Sequence, residues 1–270
     1  MRKEKEQADD IGSSYAPLIE HLSELRSRLI WSILAFIVCM VCVFPFSKYI
    51  FDFLATPITQ LLSTQNESSD LIFTGLQQGF MVNVKISFFG GFIVSFPFIG
   101  FQIWRFIAPG LYKNEKLAFL PFLIASPVLF IVGAAFAYFT VLPLAFNFFL
   151  SFQNTSDLNN LVGIKYLGTI NEYLSLTMRF ILAFGICFQL PVLLTLMGKA
   201  GLVSSQSLIR VRKYAIVAIL VIAAIVTPPD VITQIILFSV VYSLYEISIF
   251  LVKLVEKKKS KVHQEMDEKV

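Results

Sequence analysis

The sequence predicts an all-α polytopic membrane protein, with six transmembrane helices, both termini in the cytoplasm and interfacial helices on the external side. Three observations predict it. Six long apolar stretches, at about 29–46, 80–101, 117–142, 173–197, 214–226 and 231–251, fill most of a 270-residue chain. A hydrocarbon core of ~30 Å calls for ~20 apolar residues of helix, and no soluble domain of this length needs six such segments. Hydrophobic residues make up 56% of the chain and charged residues 15%, a balance that suits a helical bundle in lipid rather than a domain with a polar surface.

The third observation is the sorting of cations by side. The segment before the first stretch carries Arg2, Lys3, Lys5, Arg26 and Arg28, and the loop after the second carries Arg105, Lys113 and Lys116. The loop after the fourth adds Lys199, Arg210, Arg212 and Lys213, and the tail is Lys-rich from Lys253 onward. The opposite side has only Lys48 and Lys165, with Lys85 and Arg179 inside stretches. Positive loops stay inside, so the rule places both termini in the cytoplasm. No signal peptide or transit peptide is legible in the polar residues 1–28, and a bacterial inner membrane is the simplest location. The same sorting removes any case for nucleic acid as the partner of the net charge of +4. Cys39, Cys42 and Cys187 all lie in apolar segments, so no external disulfide framework is expected.

Taken in order, residues 1–16 are expected to be a flexible polar lead. From Pro17, an amphipathic helix over 17–29 repeats Leu18, Leu22, Leu25 and Leu29 at helical spacing and enters the first span. Between the first two spans, Ile50, Phe53, Leu54, Ile58, Leu61 and Leu62 predict an interfacial helix over 48–63, kinked near Pro57, that caps the external face. Pro143 is expected to end the third span, followed by an apolar shoulder and a polar loop at 154–163. The fifth stretch, 214–226, is only about 20 Å of helix, and TPPD at 227–230 turns the chain tightly into the sixth. Helices this short thin the bilayer or tilt their neighbours. The membrane domain thus spans 17–252, and 253–270 is a charged cytoplasmic tail, expected to be disordered and to lie near the membrane.

Signals for catalysis are missing. No Walker A loop, metalloprotease helix or nucleophile elbow is present, and the two histidines, His21 and His263, are far apart. No metal-ligand cluster or cofactor motif is legible. The ionisable groups inside apolar stretches are functional candidates because burying them is costly. Lys85 and Arg179 lie one to two turns into their spans from the external side, within reach of snorkelling. Gln189, deep in the fourth span beside Pro191, suits an interhelical hydrogen bond. At the cytoplasmic surface Glu24 and Glu115 stand out. They are either ion-pair partners of Arg28 and Lys116 or a pair of carboxylates for a cationic ligand, guanidinium above all.

Five strings now join up: HLSELRSRL at 21–29, WRFIAPGLYKNE at 104–115, FAYFTVLPLAF at 136–146, FGICFQLPV at 184–192 and TPPDVITQ at 227–234. Together and in order they resemble the TatC family, the core subunit of the twin-arginine protein translocase, over about 17–252. The resemblance implies a signal-peptide receptor, not an enzyme, that exports folded proteins using the proton-motive force. It implies partners as well: TatA-like and TatB-like single-span proteins, twin-arginine precursors and further copies of the chain. By motif, the signal-peptide site falls on Glu24, Arg26, Phe106 and Glu115. Partner-helix packing falls on Gln189 and Gln234, with Gln234 as the polar partner of Asp230, and the external cap and turn fall on Pro57 and Asp230. The chain departs from the common pattern at Gln189, where many members of the family carry a glutamate that can ionise. The rival reading, a secondary solute or ion transporter, calls for a polar midplane path and often an inverted repeat. The halves show no such pairing, and the midplane offers little beyond Gln189.

Overall fold

The computed structural model describes residues 2–64, 71–107, 120–152, 168–228 and 230–267. Helix α1 runs Arg2–Val43 and passes through a short tight turn, Phe44–Phe46, into α2, Ser47–Thr64. Next come α3 (Gln78–Ile107) and α4 (Leu120–Phe136), which a wide turn of π-helix, Ala137–Val141, joins to α5 (Leu142–Leu150). The remainder is α6 (Ile170–Cys187), α7 (Leu190–Lys199), α8 (Ser205–Val226) and α9 (Val231–Asp267). Among the described residues, five stretches are long and apolar enough to cross a membrane: Leu22–Ser63, Gln78–Ile103, Pro121–Leu150, Ile170–Lys199 and Val231–Lys258. Helix α8 falls outside that set because Arg210, Arg212 and Lys213 occupy its second and third turns and leave only 214–226 apolar.

Four boundaries differ from the expectation, each for a physical reason. Helix α1 already begins at Arg2 rather than at Pro17, since Lys, Glu, Gln and Ala in the lead are strong helix formers. The third span continues through Pro143 to Leu150: the π-turn shifts the hydrogen-bond register just before the proline, which then sits in the first turn of α5, where no N–H is missed. The fourth span breaks at Phe188 and Gln189, because Pro191 cannot donate to Cys187 O and the chain tightens into a three-residue step, Gln189 N to Ile186 O at 2.9 Å. The last helix runs on to Asp267, into the region expected to be a disordered tail. There Glu256 meets the N-terminus of α8, its carboxylate accepting from Ser205 N at 2.9 Å and Ser205 Oγ at 2.5 Å. A carboxylate at a helix N-terminus is favoured by the peptide dipoles and by the unpaired N–H groups there.

The pairs α1–α3, α4–α6 and α8–α9 are antiparallel, whereas α7 runs parallel to α9, with Gly198 against Val252. Helix α1 lies along α3, with Gly91 so close to the Met40 backbone that a Cβ would stand 2.7 Å from Met40 Cα. The α4–α6 pair is drawn together by Gly133 and Gly185. A Cβ on the first would meet Phe184 O at 2.7 Å, and one on the second the Phe130 ring at 2.6 Å. Phe130, Phe180, Phe184, Leu142, Leu174 and Tyr173 fill the centre, nearly all fully buried. Two ends result. The basic end carries the start of α8 and the ends of α3 and α7, with Lys199 above the Phe122 ring at 5.6 Å. The other end carries α2.

Helix α2 is the amphipathic helix expected around Pro57. Its buried side, Leu54, Ala55, Ile58 and Leu62, packs on α3, α5 and α6. Proline has no N–H, so Phe53 O loses its helical partner. The Tyr138 hydroxyl donates to that carbonyl at 2.6 Å, and the Tyr173 hydroxyl donates to the neighbouring Leu54 O. Two tyrosines from the bundle thus hold the turn of α2 that precedes Pro57. Nearby, Ile72 N donates to Gly168 O (3.0 Å) and Ile170 N to Ile72 O (3.2 Å), tying the start of α6 to the connection before α3.

If Tyr138 compensates for Pro57, Tyr138→Phe lowers stability by about 1–3 kcal/mol in the wild-type background and by much less beside Pro57→Ala. Apparent unfolding midpoints of the four proteins in detergent check this, and an equal loss in both backgrounds would refute it.

Candidate functional site

Glu24 sits on α1 at the basic end, half-buried, and Oε1 accepts from Arg28 Nη2 at 2.6 Å and Nε at 3.0 Å. The four-residue spacing puts the two on one helix face. Arg28 is the more buried partner, and its Nη1 reaches Gln102 Oε1 of α3 at 3.0 Å, so the ion pair is anchored to the neighbouring helix. Both bonds from Arg28 go to Oε1, and neither engages Oε2. This is chemically useful: a guanidinium already holds the carboxylate in place, and a second cation can still be received at the other oxygen. Arg26 is exposed on the same helix, and Phe106 is half-buried in the last turn of α3. Glu115 lies outside the described residues, between Ile107 and Leu120, the two helix ends that flank it at this end.

Gln189 occupies the break between α6 and α7 and is held within the chain. Its Oε1 accepts from Ser126 Oγ at 2.7 Å, and its Nε2 donates to Ser126 O at 2.8 Å. Ser126 on α4 is 2% exposed, so the pair joins two helices where no water is at hand. The glutamine leaves one N–H for a further partner.

Asp230 caps α9. Its Oδ2 accepts from Thr233 N at 2.7 Å and its Oδ1 from the Thr233 hydroxyl at 2.6 Å. The side-chain partner of Asp230 is therefore Thr233, fully buried, and not Gln234, whose only link to it is a long backbone contact, Gln234 N to Asp230 O at 3.4 Å. A capping side chain reaches N–H groups two or three residues on, which favours Thr233. The structure thus separates the expected residues into three groups: Glu24 with Arg26 and Phe106 at the basic end, Gln189 inside the bundle, and Pro57 and Asp230 at the other end.

A further polar group lies at the basic end, and sequence reasoning missed its partners. Glu246 on α9 accepts from Arg212 Nη2 at 2.6 Å and from the Tyr242 hydroxyl at 2.9 Å, which fixes the basic start of α8 to its neighbour. Tyr245 adds a bond to Leu208 O at 2.8 Å. The i,i+4 spacing of Tyr242 and Glu246 was the available signal.

A family model described as Sec-independent protein translocase protein (TatC) matches residues 20–239. This chain belongs to the TatC family. Among curated TatC proteins, the one from Magnetococcus marinus is 47% identical over 91% of this chain and 87% of its own length. The one from Aquifex aeolicus is 43% identical over 92% and 99%, and the one from Escherichia coli 38% over 87% of each. A crystal structure of a twin-arginine translocase receptor, TatC, superposes with a TM-score of 0.75, at 44% identity, over 87% of this chain and 99% of that one. The family description is that of a protein translocase component, a transport role, and the apolar helices of this chain are those of a multi-pass membrane protein.

Two outcomes follow for this TatC chain. Gln189→Leu leaves the Ser126 hydroxyl without its partner and lowers stability by about 1–3 kcal/mol, read as a drop in the apparent unfolding midpoint. Adding Ser126→Ala recovers part of that loss, and a purely additive result would refute the pairing. Asp230→Ala costs about 1 kcal/mol as a lost cap while Asp230→Asn costs little. An export assay in cells then separates a capping role, kept by Asn, from a need for the charge itself.

Proposed function

We propose that this chain is the core subunit and signal-peptide receptor of a twin-arginine translocase in a bacterial inner membrane, with both termini in the cytoplasm. The observation that carries the reading is Glu24, a carboxylate fixed at the basic end by Arg28 through one oxygen, with the other left to receive a ligand. The solved relative, a twin-arginine translocase receptor, supports the same role. The sorting of Lys and Arg supports the orientation.

In this mechanism a twin-arginine signal peptide docks at Glu24 and Glu115, which accept its guanidinium groups through charge-assisted bonds. Arg26 and Phe106 border the peptide, and its apolar stretch follows the bundle into the bilayer. Single-span partners resembling TatA and TatB pack along the later helices, beside Gln189 and Gln234, and further copies of the chain join the receptor complex. Helix α2 with Pro57 and the turn at Asp230 close the external end. The proton-motive force drives partner assembly, and the short apolar part of α8 has already thinned the bilayer where assembly occurs. The chain does no covalent chemistry.

Photoprobes at Ser23 and Asn114, beside the two acids, test the reading with a twin-arginine precursor against a twin-lysine one. The expected result is strong crosslinking at both positions, lost with twin-lysine and reduced at least about tenfold by Glu24→Gln, the equivalent of about 1.4 kcal/mol. Equal labelling by both precursors, or no labelling, would remove the site.

A further inference from the structure

Two cations stand inside apolar helices at the end away from the basic one. Lys85 lies roughly 10 Å along α3 from its start, and Arg179 roughly 14 Å along α6 from its own. Both are exposed. Lys85 Nζ donates to Asn171 Oδ1 at 2.6 Å and to Ser175 Oγ at 3.4 Å, both on α6. Asn171, Ser175 and Arg179 follow one another at four-residue spacing and share a helix face. The ammonium of α3 is thus fastened to the stripe of α6 that carries the guanidinium.

Among the described residues neither cation makes an ion pair. The nearest acid in the chain sequence, Glu172, is in the first turn of α6, roughly 10 Å along the axis from Arg179. A cation within an apolar stretch is costly until its head reaches an anion or the headgroup layer. The direction it can reach is set by the backbone. Side chains lean toward the N-terminus of their helix. Helices α3 and α6 both start at the α2 end, where Ile72 is bonded to Gly168 and Ile170. Both cations therefore lean toward the same membrane surface. An ammonium with a free N–H and a guanidinium fork along one face suit an anion with several acceptor oxygens.

We propose that Lys85, Asn171, Ser175 and Arg179 form a site for the phosphate of an anionic phospholipid, in the leaflet at the α2 end. The phosphate bridges the two cations, and the neutral side chains hold Lys85 in place to receive it. Because the site lies well below the helix starts, the bound headgroup is drawn below its ordinary level and the leaflet is pinched beside α3 and α6. A carboxylate on a partner helix would satisfy the charges too, but the lean of both side chains toward the surface favours the headgroup.

The test does not depend on the receptor role. Native mass spectrometry of the full chain in detergent, titrated with phosphatidylglycerol, reads the number and affinity of retained lipids. Lys85→Gln/Arg179→Gln should lose one bound lipid or weaken it by tenfold or more, while Lys85→Arg/Arg179→Lys keeps it, and millimolar inorganic phosphate does not displace it. The two single Gln variants, each keeping one cation, should show intermediate loss, so a folding defect in the double variant does not decide the matter. Unchanged lipid binding in all Gln variants would overturn the site. So would preferential capture of a carboxylate-bearing transmembrane peptide over phosphatidylglycerol.

Discussion

Within a bilayer, a peptide carbonyl that loses its helical N–H partner finds no water in its place, and the chain must supply a substitute. This chain meets the problem repeatedly, because its apolar helices carry Pro57, Pro97, Pro127, Pro143 and Pro191. Three of the five show distinct solutions. At Pro57 a tyrosine hydroxyl from elsewhere in the bundle takes the orphaned carbonyl. At Pro143 the preceding π-turn shifts the register, so that Leu142 N bonds to Ala137 O. At Pro191 the helix stops, tightens and restarts, and Gln189 in the gap bonds to Ser126 on α4. The first and last of these also fix a tertiary contact. Prolines there do more than bend helices: they decide which helices must be neighbours.

That constraint explains what sequence reasoning could reach. The apolar stretches, the amphipathic helix around Pro57 and the acid in the turn at 230 all leave local traces, in periodicity or in turn chemistry. Tyr138 and Tyr173 leave none. They lie far from Phe53 and Leu54 in sequence, and an apolar span tolerates an aromatic at many positions without saying which carbonyl it serves. The same holds for Lys85 with Asn171 and for Glu256 with Ser205, where each partner alone is only a polar residue near a helix end. Asp230 shows the intermediate case. Its position at a turn was legible, but the identity of its partner depended on capping geometry, which selects Thr233 over Gln234.

The candidate site divides in the same way. Glu24 and Arg28 could be paired by four-residue spacing, and the structure pairs them. What spacing could not supply is Gln102, which ties Arg28 to α3 and so orients the carboxylate that Arg28 holds. An exposed ion pair on a single helix is a weak and mobile feature. Anchored to a second helix through a partly buried arginine, the carboxylate is held in place, and that is what the proposed docking of a guanidinium needs.

On the proposed functions, the two ends of the bundle press on the bilayer from opposite sides. At the basic end, Arg212 is held by Glu246, itself bonded to Tyr242, so the charged start of α8 is fixed to α9. The span of 214–226 stays near 20 Å against a hydrocarbon core of ~30 Å. At the other end, Lys85 and Arg179 draw headgroups inward. Tilting cannot relieve a short apolar span, because it lowers the thickness covered, and α8 is pinned to the long α9 by Arg212, by Tyr245 and by the Ser205–Glu256 cap. On this reading the mismatch falls on the lipid, which thins around the bundle.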